Sequence, residues 1–237
     1  MRPAASKKSG GRSGQAFSRR LRAWYRQNAR DLPWRRTRDP YRVLVSELML
    51  QQTQVARVVP RYHEFLESFP TLADVARARP HAIREAWDGL GYYARARNLH
   101  SLARVVTANG RQPSNALPAE PAALRALPGV GPYTAGAVAS FAYERRAPLV
   151  DTNVARVLRR VFVPRAQPKS SRGARQLWEL AAALLPRTGR AAWMHNQALM
   201  ELGALVCTAR RPLCGQCPAR ELCKTFQSGL DGARPQS

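Results

Sequence analysis

The chain of 237 residues has no lysine from Ser9 through Pro168, only 15 acidic residues, and no cysteine before Cys207. The first absence leaves that long interval without an amine for Schiff-base chemistry. The last leaves the cysteines no disulfide partner outside their own segment. No run approaches the roughly 20 apolar residues of a membrane span, and residues 1–16, MRPAASKKSGGRSGQA, lack the apolar core of a signal peptide; the expected location is cytoplasmic. With 39 Lys and Arg against those few acids, the net charge is +24. The excess persists along the chain, so the expected partner is a polyanion. Charge alone suits DNA, ribosomal RNA or a membrane surface equally. Because no acid precedes Asp31, residues 1–16 read as a flexible basic arm.

The length has room for one large or two small domains. Apolar residues recur at helical spacing over Tyr41–Val55, Arg95–Thr107, Ala122–Leu127, Gly173–Leu185 and Ala192–Val206, and no comparable period-two segment marks a strand. Pro60, Pro70, Pro80, Gly89, Gly91, Pro118, Pro128, Pro148 and Pro164 punctuate these runs, which predicts short helices with tight connections. The fold class is all-α. Loops are expected at Gln112–Pro118 and Pro164–Gly173, and there is no internal repeat.

Cys207, Cys214, Cys217 and Cys223 follow the spacing C-x6-C-x2-C-x5-C. On one short segment they act as a single site, and in a cytosolic protein a metal centre is favoured over disulfides. Zinc and a [4Fe-4S] cluster both take four cysteines. Only Cys214 and Cys217 have the knuckle spacing that a zinc ribbon uses twice, so the spacing leans toward iron and sulfur while leaving zinc open.

Leu127-Pro128-Gly129-Val130-Gly131-Pro132-Tyr133-Thr134-Ala135-Gly136 reads as a helix end, a turn and a second helix starting near Pro132. Gly129 and Gly131 permit positive φ and present no side chain that would hold a phosphate away from the N–H groups of the new helix. Such a hairpin anchors a nucleic-acid backbone without reading its sequence. Alone, the motif is also an ordinary helix-turn-helix corner.

Two acids stand out in apolar surroundings. Glu47 lies in Val45-Ser46-Glu47-Leu48-Met49-Leu50, and Asp151 follows Ala147-Pro148-Leu149-Val150. Singly, Glu47 suits an ion pair with an arginine and Asp151 suits a helix N-cap. Beside a DNA-binding hairpin, the two suit glycosidic cleavage, in which one carboxyl protonates the leaving group and another stabilises an oxocarbenium-like sugar. The missing lysine then predicts hydrolysis without efficient strand cleavage.

Five blocks in order carry a family resemblance over about Trp24 to Lys224. They are Leu32-Pro33-Trp34-Arg35; Ser46-Glu47-Leu48-Met49-Leu50-Gln51-Gln52-Thr53-Gln54-Val55; Gly89-Leu90-Gly91-Tyr92-Tyr93 with Arg95-Ala96-Arg97-Asn98-Leu99; the hairpin leading to Val150-Asp151-Thr152-Asn153-Val154; and the cysteine loop. The chain resembles the helix-hairpin-helix-GPD superfamily and, within it, the MutY-type adenine DNA glycosylases. The resemblance implies a six-helix barrel domain at 34–147 and an iron-sulfur domain built from 17–33 and 148–227, with a cleft between them, a basic arm at 1–16 and a disordered tail at 228–237. It implies a monomer, associated with the nucleoid, that acts on double-stranded DNA holding a mismatch or lesion. By the same resemblance, Cys207, Cys214, Cys217 and Cys223 hold a [4Fe-4S] cluster and Gly129 and Gly131 bind DNA phosphate. Glu47 would protonate adenine N7 and Asp151 would stabilise the sugar cation, tuned by Tyr133 and Asn153. Arg30, Trp34 and Gln197 would line the base pocket, whereas Gln52, Thr53 and Tyr92 would wedge into the duplex or touch the opposite base, offsetting part of the cost of base extrusion.

Thr152 departs from the pattern, since MutY-type sequences usually have Gly there and endonuclease III relatives have Thr. The chain also ends soon after Cys223, short of the NUDIX-like domain into which family members usually continue, and nothing in this sequence is expected to form that domain. The activity expected is release of adenine mispaired with 8-oxoguanine or guanine. A thymine or uracil glycosylase acting at G mismatches is the alternative, because short relatives of that kind also carry Tyr at position 133. A non-catalytic lesion sensor is the third reading, against which the intact Glu47 and Asp151 argue.

Overall fold

The computed structural model describes residues 6–108 and 117–229. Among these the secondary structure is helical, without a strand. In chain order the α-helices are α1 Ser6–Asn28, α2 Pro40–Leu50, α3 Val55–Ser68, α4 Leu72–Arg77, α5 Pro80–Ala86, α6 Ala94–Thr107, α7 Pro121–Arg125, α8 Pro132–Tyr143, α9 Thr152–Phe162, α10 Ser171–Leu184, α11 Gly189–Leu205 and α12 Lys224–Ser228. Single 3-10 turns cover Pro33–Arg35, Cys214–Gln216 and Arg220–Leu222. The chain divides into two units, residues 31–145 and residues 1–30 with 146–237.

In the unit of residues 31–145, α2 and α8 pack together, and each is apolar nearly all the way round. A helix with no polar face is stable only inside a core. Accordingly every residue from Val43 to Met49 is buried on α2, and every residue from Thr134 to Phe141 on α8. Trp87 and Phe65 meet edge to face at 5.6 Å beneath α3 and α5. Caps set the helix starts: Asp39 accepts from the Arg42 amide, Thr71 and Asp74 form a reciprocal capping box, and Pro40, Pro80, Pro121 and Pro132 open their helices.

In the other unit α1 packs on α11, and α9 lies against α10, α11 and α12. Phe17 and Leu21 of α1 are almost fully buried, Phe17 meeting Phe162 edge to face at 5.1 Å. Asp151, Ser170 and Thr188 cap α9, α10 and α11. The α9–α11 crossing is close at Gly203, where a Cβ would stand 2.7 Å from that of Asn153.

Several expectations need correction. The arm expected at 1–16 is helical from Ser6, because Gly14 seats against Leu184 and Phe17 follows into the core one turn on; residues 1–5 lie outside the described residues. Pro60 does not end a helix. It sits in the second turn of α3, where its ring forfeits only the bond to the Ala56 carbonyl. The run Tyr41–Val55 is two helices, parted at Gln51–Gln54. The Gln112–Pro118 loop lies largely outside the described residues, as does the tail after Gly229.

Candidate catalytic residues and cysteine site

Glu47 is 3% exposed on α2, flanked on its helix by the buried Val43, Leu44, Val45, Leu48 and Met49. The Tyr133 hydroxyl, from the first turn of α8, donates to its Oε2 at 2.7 Å. The α2–α8 packing that buries Glu47 therefore also aims its carboxyl. Tyr133, expected to tune Asp151, has Glu47 as its hydroxyl's acceptor. One turn along the same interface Gln51 donates to Thr134 Oγ1 at 3.4 Å.

In the hairpin between α7 and α8, the Val130 amide donates to the Leu127 carbonyl and closes the turn at 3.2 Å. Gly129 has φ +74°, and a Cβ there would meet that of Asn98 at 2.4 Å. Gly131 does not use the positive φ that glycine permits: φ is −82° and ψ 175°, ordinary extended backbone at the N-cap of α8. A Cβ there would meet nothing within 4 Å. No side chain caps this helix start, and Pro132 has no N–H, so the first-turn amides face outward from an exposed corner.

Gln52, Thr53 and Tyr92 lie on the connections after α2 and before α6. Gln52 and Tyr92 both have left-handed backbone, with φ of 59° and 48°, and Tyr92 is 58% exposed. Thr53 is half-buried, its hydroxyl 3.4 Å from the Leu90 carbonyl. The two connections line one surface recess. Trp34, on the first 3-10 turn, is buried edge to face with Tyr62 at 5.5 Å.

In the other unit Asp151 does what an N-cap does, accepting the Val154 amide at 2.6 Å. Its second oxygen accepts from the Asn153 side-chain amide at 3.0 Å. Burial pushes the Asp151 pKa up, opposed by these two bonds and by the charge of Arg156. Arg156, which sequence reasoning missed, donates to Asn153 Oδ1 at 2.7 Å, to the Gly203 carbonyl at 2.7 Å and to the Cys207 carbonyl at 2.7 Å. With Oδ1 held by Arg156, Asn153 can only offer its NH2 to Asp151.

Arg30, expected in a base pocket, holds Glu201 in a two-pronged pair, Nη2 to Oε2 at 2.7 Å and Nε to Oε1 at 3.0 Å. Glu201 is wholly buried, and the pair raises the Arg30 pKa. Gln197 is buried one turn earlier on α11. An acid at 201 escaped the sequence reading because its helix gives no sign of which arginine answers it.

All four cysteines line one cavity, together with Val157, Leu202, Val206 and Phe226 and the guanidinium-bearing Arg160. Arg160 donates to the Thr208 carbonyl at 2.6 Å and the Ala209 carbonyl at 3.2 Å, with Cys207 Sγ 3.6 Å from Nη1. Burial, reinforced by the neighbouring thiols, pushes Cys217 up to about 12, and burial also raises Cys223. Thiols gathered this way ionise only when a cationic centre shares the cavity. Among the described residues no three His, Cys, Asp or Glu side chains come close enough to hold one metal ion.

Residues 45–183 match the HhH-GPD superfamily base excision DNA repair protein family. The chain belongs to that family. It is 46% identical over 224 residues to an adenine DNA glycosylase of Rattus norvegicus, covering 90% of this chain and 42% of that protein. With an adenine DNA glycosylase of Mycolicibacterium smegmatis it shares 46% identity over 199 residues, 84% of this chain and 66% of the other. The chain thus spans about two fifths of the length of its mammalian relative. Among solved structures it is similar to a thermostable thymine-DNA glycosylase, with a TM-score of 0.83 and 31% identity over 93% of this chain and 100% of that one. No helix among the described residues is long and apolar enough to cross a membrane.

Proposed function

We propose that this chain is a monofunctional DNA glycosylase that hydrolyses the N-glycosidic bond of adenine mispaired with 8-oxoguanine or guanine. The observation that carries the reading is Glu47, a carboxyl buried in the middle of an apolar helix and aimed by a tyrosine hydroxyl. A carboxyl is costly to bury among apolar side chains, and departure of a purine calls for a proton at N7. In this reading Glu47 gives that proton, and the Tyr133 hydroxyl keeps the carboxyl oriented as it does so. Asp151, whose charged form the Val154 and Asn153 donors favour against the pull of burial, would face the positive charge that grows on the sugar. Water then completes the hydrolysis. With no lysine between Ser9 and Pro168, strand cleavage does not follow.

Double-stranded DNA is the proposed partner. The exposed first turn of α8, with Gly129 turning the chain against Asn98 and Gly131 leaving the approach clear, would hold a backbone phosphate. Gln52, Thr53 and Tyr92 would occupy the space left by the extruded base, and Trp34, Arg30 and Gln197 would contribute to holding it. The four cysteines fit a [4Fe-4S] cluster by the chemistry of the donor set: four thiols, the ligands such a cluster takes, line one cavity with Val157, Val161, Leu202, Val206 and Phe226. Bound there, the cluster would supply a fixed charge and a rigid frame for residues 207–223. Iron and sulfide at about four each per chain, lost in Cys217→Ala, support this centre; stoichiometric zinc contradicts it.

The full-length match to a thymine-DNA glycosylase favours a second reading, removal of thymine or uracil opposite guanine. Duplexes carrying A·8-oxoguanine, A·G, T·G and U·G, scored for the free base released, separate the two. Adenine alone supports the proposal, and thymine or uracil alone replaces it with the second.

A further inference from the structure

Arg95 is the least expected buried charge in its unit. It is 6% exposed, and the acceptors around it are neutral carbonyl and hydroxyl oxygens. Its Nη1 donates to the carbonyls of Leu48 at 2.8 Å, Met49 at 2.9 Å and Gln51 at 2.5 Å. Its Nη2 donates to the carbonyls of Leu90 at 3.1 Å and Gly91 at 3.0 Å, and to Thr53 Oγ1 at 3.3 Å. The guanidinium lies 5.3 Å from the Tyr92 ring centroid. One prong thus closes the negative C-terminal end of α2, and the other grips the connection ahead of α6. A lysine could not span both, because its single nitrogen lacks the planar fork.

The two connections it ties together carry two of the three non-glycine residues with positive φ among the described residues, Gln52 and Tyr92. Side chains other than Gly, Asn and Asp avoid that region, and a bulky aromatic there is held by its surroundings. Carbonyls next to both residues, at Gln51 and Gly91, are the ones Arg95 takes.

We infer that Arg95 is a positioning residue that locks Gln52 and Tyr92 side by side at a fixed spacing, so that both meet the disrupted base pair together. The inference rests on the reading of those two side chains as the duplex-contacting pair, and extends it to the group that organises them. A guanidinium that bridges two loops converts two separately mobile contacts into one preformed surface, which lowers the ordering cost of binding.

The test compares wild type, Arg95→Lys, the double variant Gln52→Ala with Tyr92→Ala, and the triple variant. Each is measured for its affinity for an A·G duplex relative to a matched duplex, and for the fluorescence of 2-aminopurine placed beside the mismatch. The expected result is a preference lowered by about tenfold in Arg95→Lys and in the double variant, with the triple no worse than the double. A preference retained in Arg95→Lys, or a triple variant in which the losses multiply, overturns the positioning role. A double variant with unchanged preference overturns the duplex-contacting reading itself and the inference with it. Should Arg95→Lys not fold, the single variants Gln52→Ala and Tyr92→Ala decide the matter in the wild-type background: each single should lose about as much preference as the double if the two side chains act as one preformed surface, and two losses that simply multiply overturn the inference.

Discussion

Glu47 and Asp151 are both acids that structure would tolerate for mundane reasons, and their surroundings differ. Glu47 is held by a neutral hydroxyl, Asp151 by an amide, an N–H group and the nearby charge of Arg156. Tyr133→Phe leaves the apolar packing intact and removes only the aim of the Glu47 carboxyl, so single-turnover base release should slow by about tenfold with little change in DNA affinity. For Asp151 the sign follows from burial: with the folded pKa above the ordinary carboxylate value, the charged form weakens folding as pH rises through that pKa, and acidification relieves it. If the anion is the working form, the acid limb of the rate profile lies above the ordinary aspartate value, and Asn153→Ala, by removing a donor to the charged oxygen, moves the limb to still higher pH. A limb unmoved by Asn153→Ala speaks against the anion role. Asp151→Asn keeps an N-cap oxygen, so its melting midpoint should stay within about 3 °C of wild type while base release is lost.

Among the elements, the hairpin was the most legible in sequence and Arg95 the least. Pro132 opening a helix and Gly129 turning the chain follow from backbone chemistry that any reader of the residues can apply, and the structure has both. Gly131 shows the limit, since extended backbone there is open to any residue and a Cβ would meet nothing within 4 Å, so nothing in the chain's own packing requires glycine. Gly129→Ala meets both a left-handed backbone and the Asn98 side chain, so it should destabilise the fold by about 2–4 kcal/mol in denaturant unfolding, against under about 1 kcal/mol for Gly131→Ala. Helices α3, α4 and α5 escaped the periodicity because α4 and α5 are short and Pro60 interrupts the pattern of α3. Arg95 and Arg156 escaped for another reason: in a chain with 39 basic residues, one more arginine carries no signal. What was available is position, for Arg95 shares the buried face of α6 with Ala96, Leu99 and Leu102.

Over the whole molecule the charge of +24 cannot be neutralised internally by so few acids, and several of these are committed, Glu201 to Arg30, Asp74 to its cap and Asp151 to α9. Much of the excess is left for phosphate. Affinity for any duplex should therefore fall by about 10³-fold or more between roughly 50 and 200 mM salt, whereas preference for a mismatch should persist, and salt-insensitive binding would exclude a phosphate-led interface. The proposed reaction demands that Glu47 and Asp151 serve the same bond-breaking event. The most direct measurement is the single-turnover release of free adenine from an A·8-oxoguanine duplex by wild type, Glu47→Gln, Asp151→Asn and the double variant. Each single change should slow release by about 10²–10⁴-fold, and the double should be little slower than the worse single, as for groups that act as a unit. A single variant that releases adenine at the wild-type rate, or two losses that simply multiply, would contradict the account.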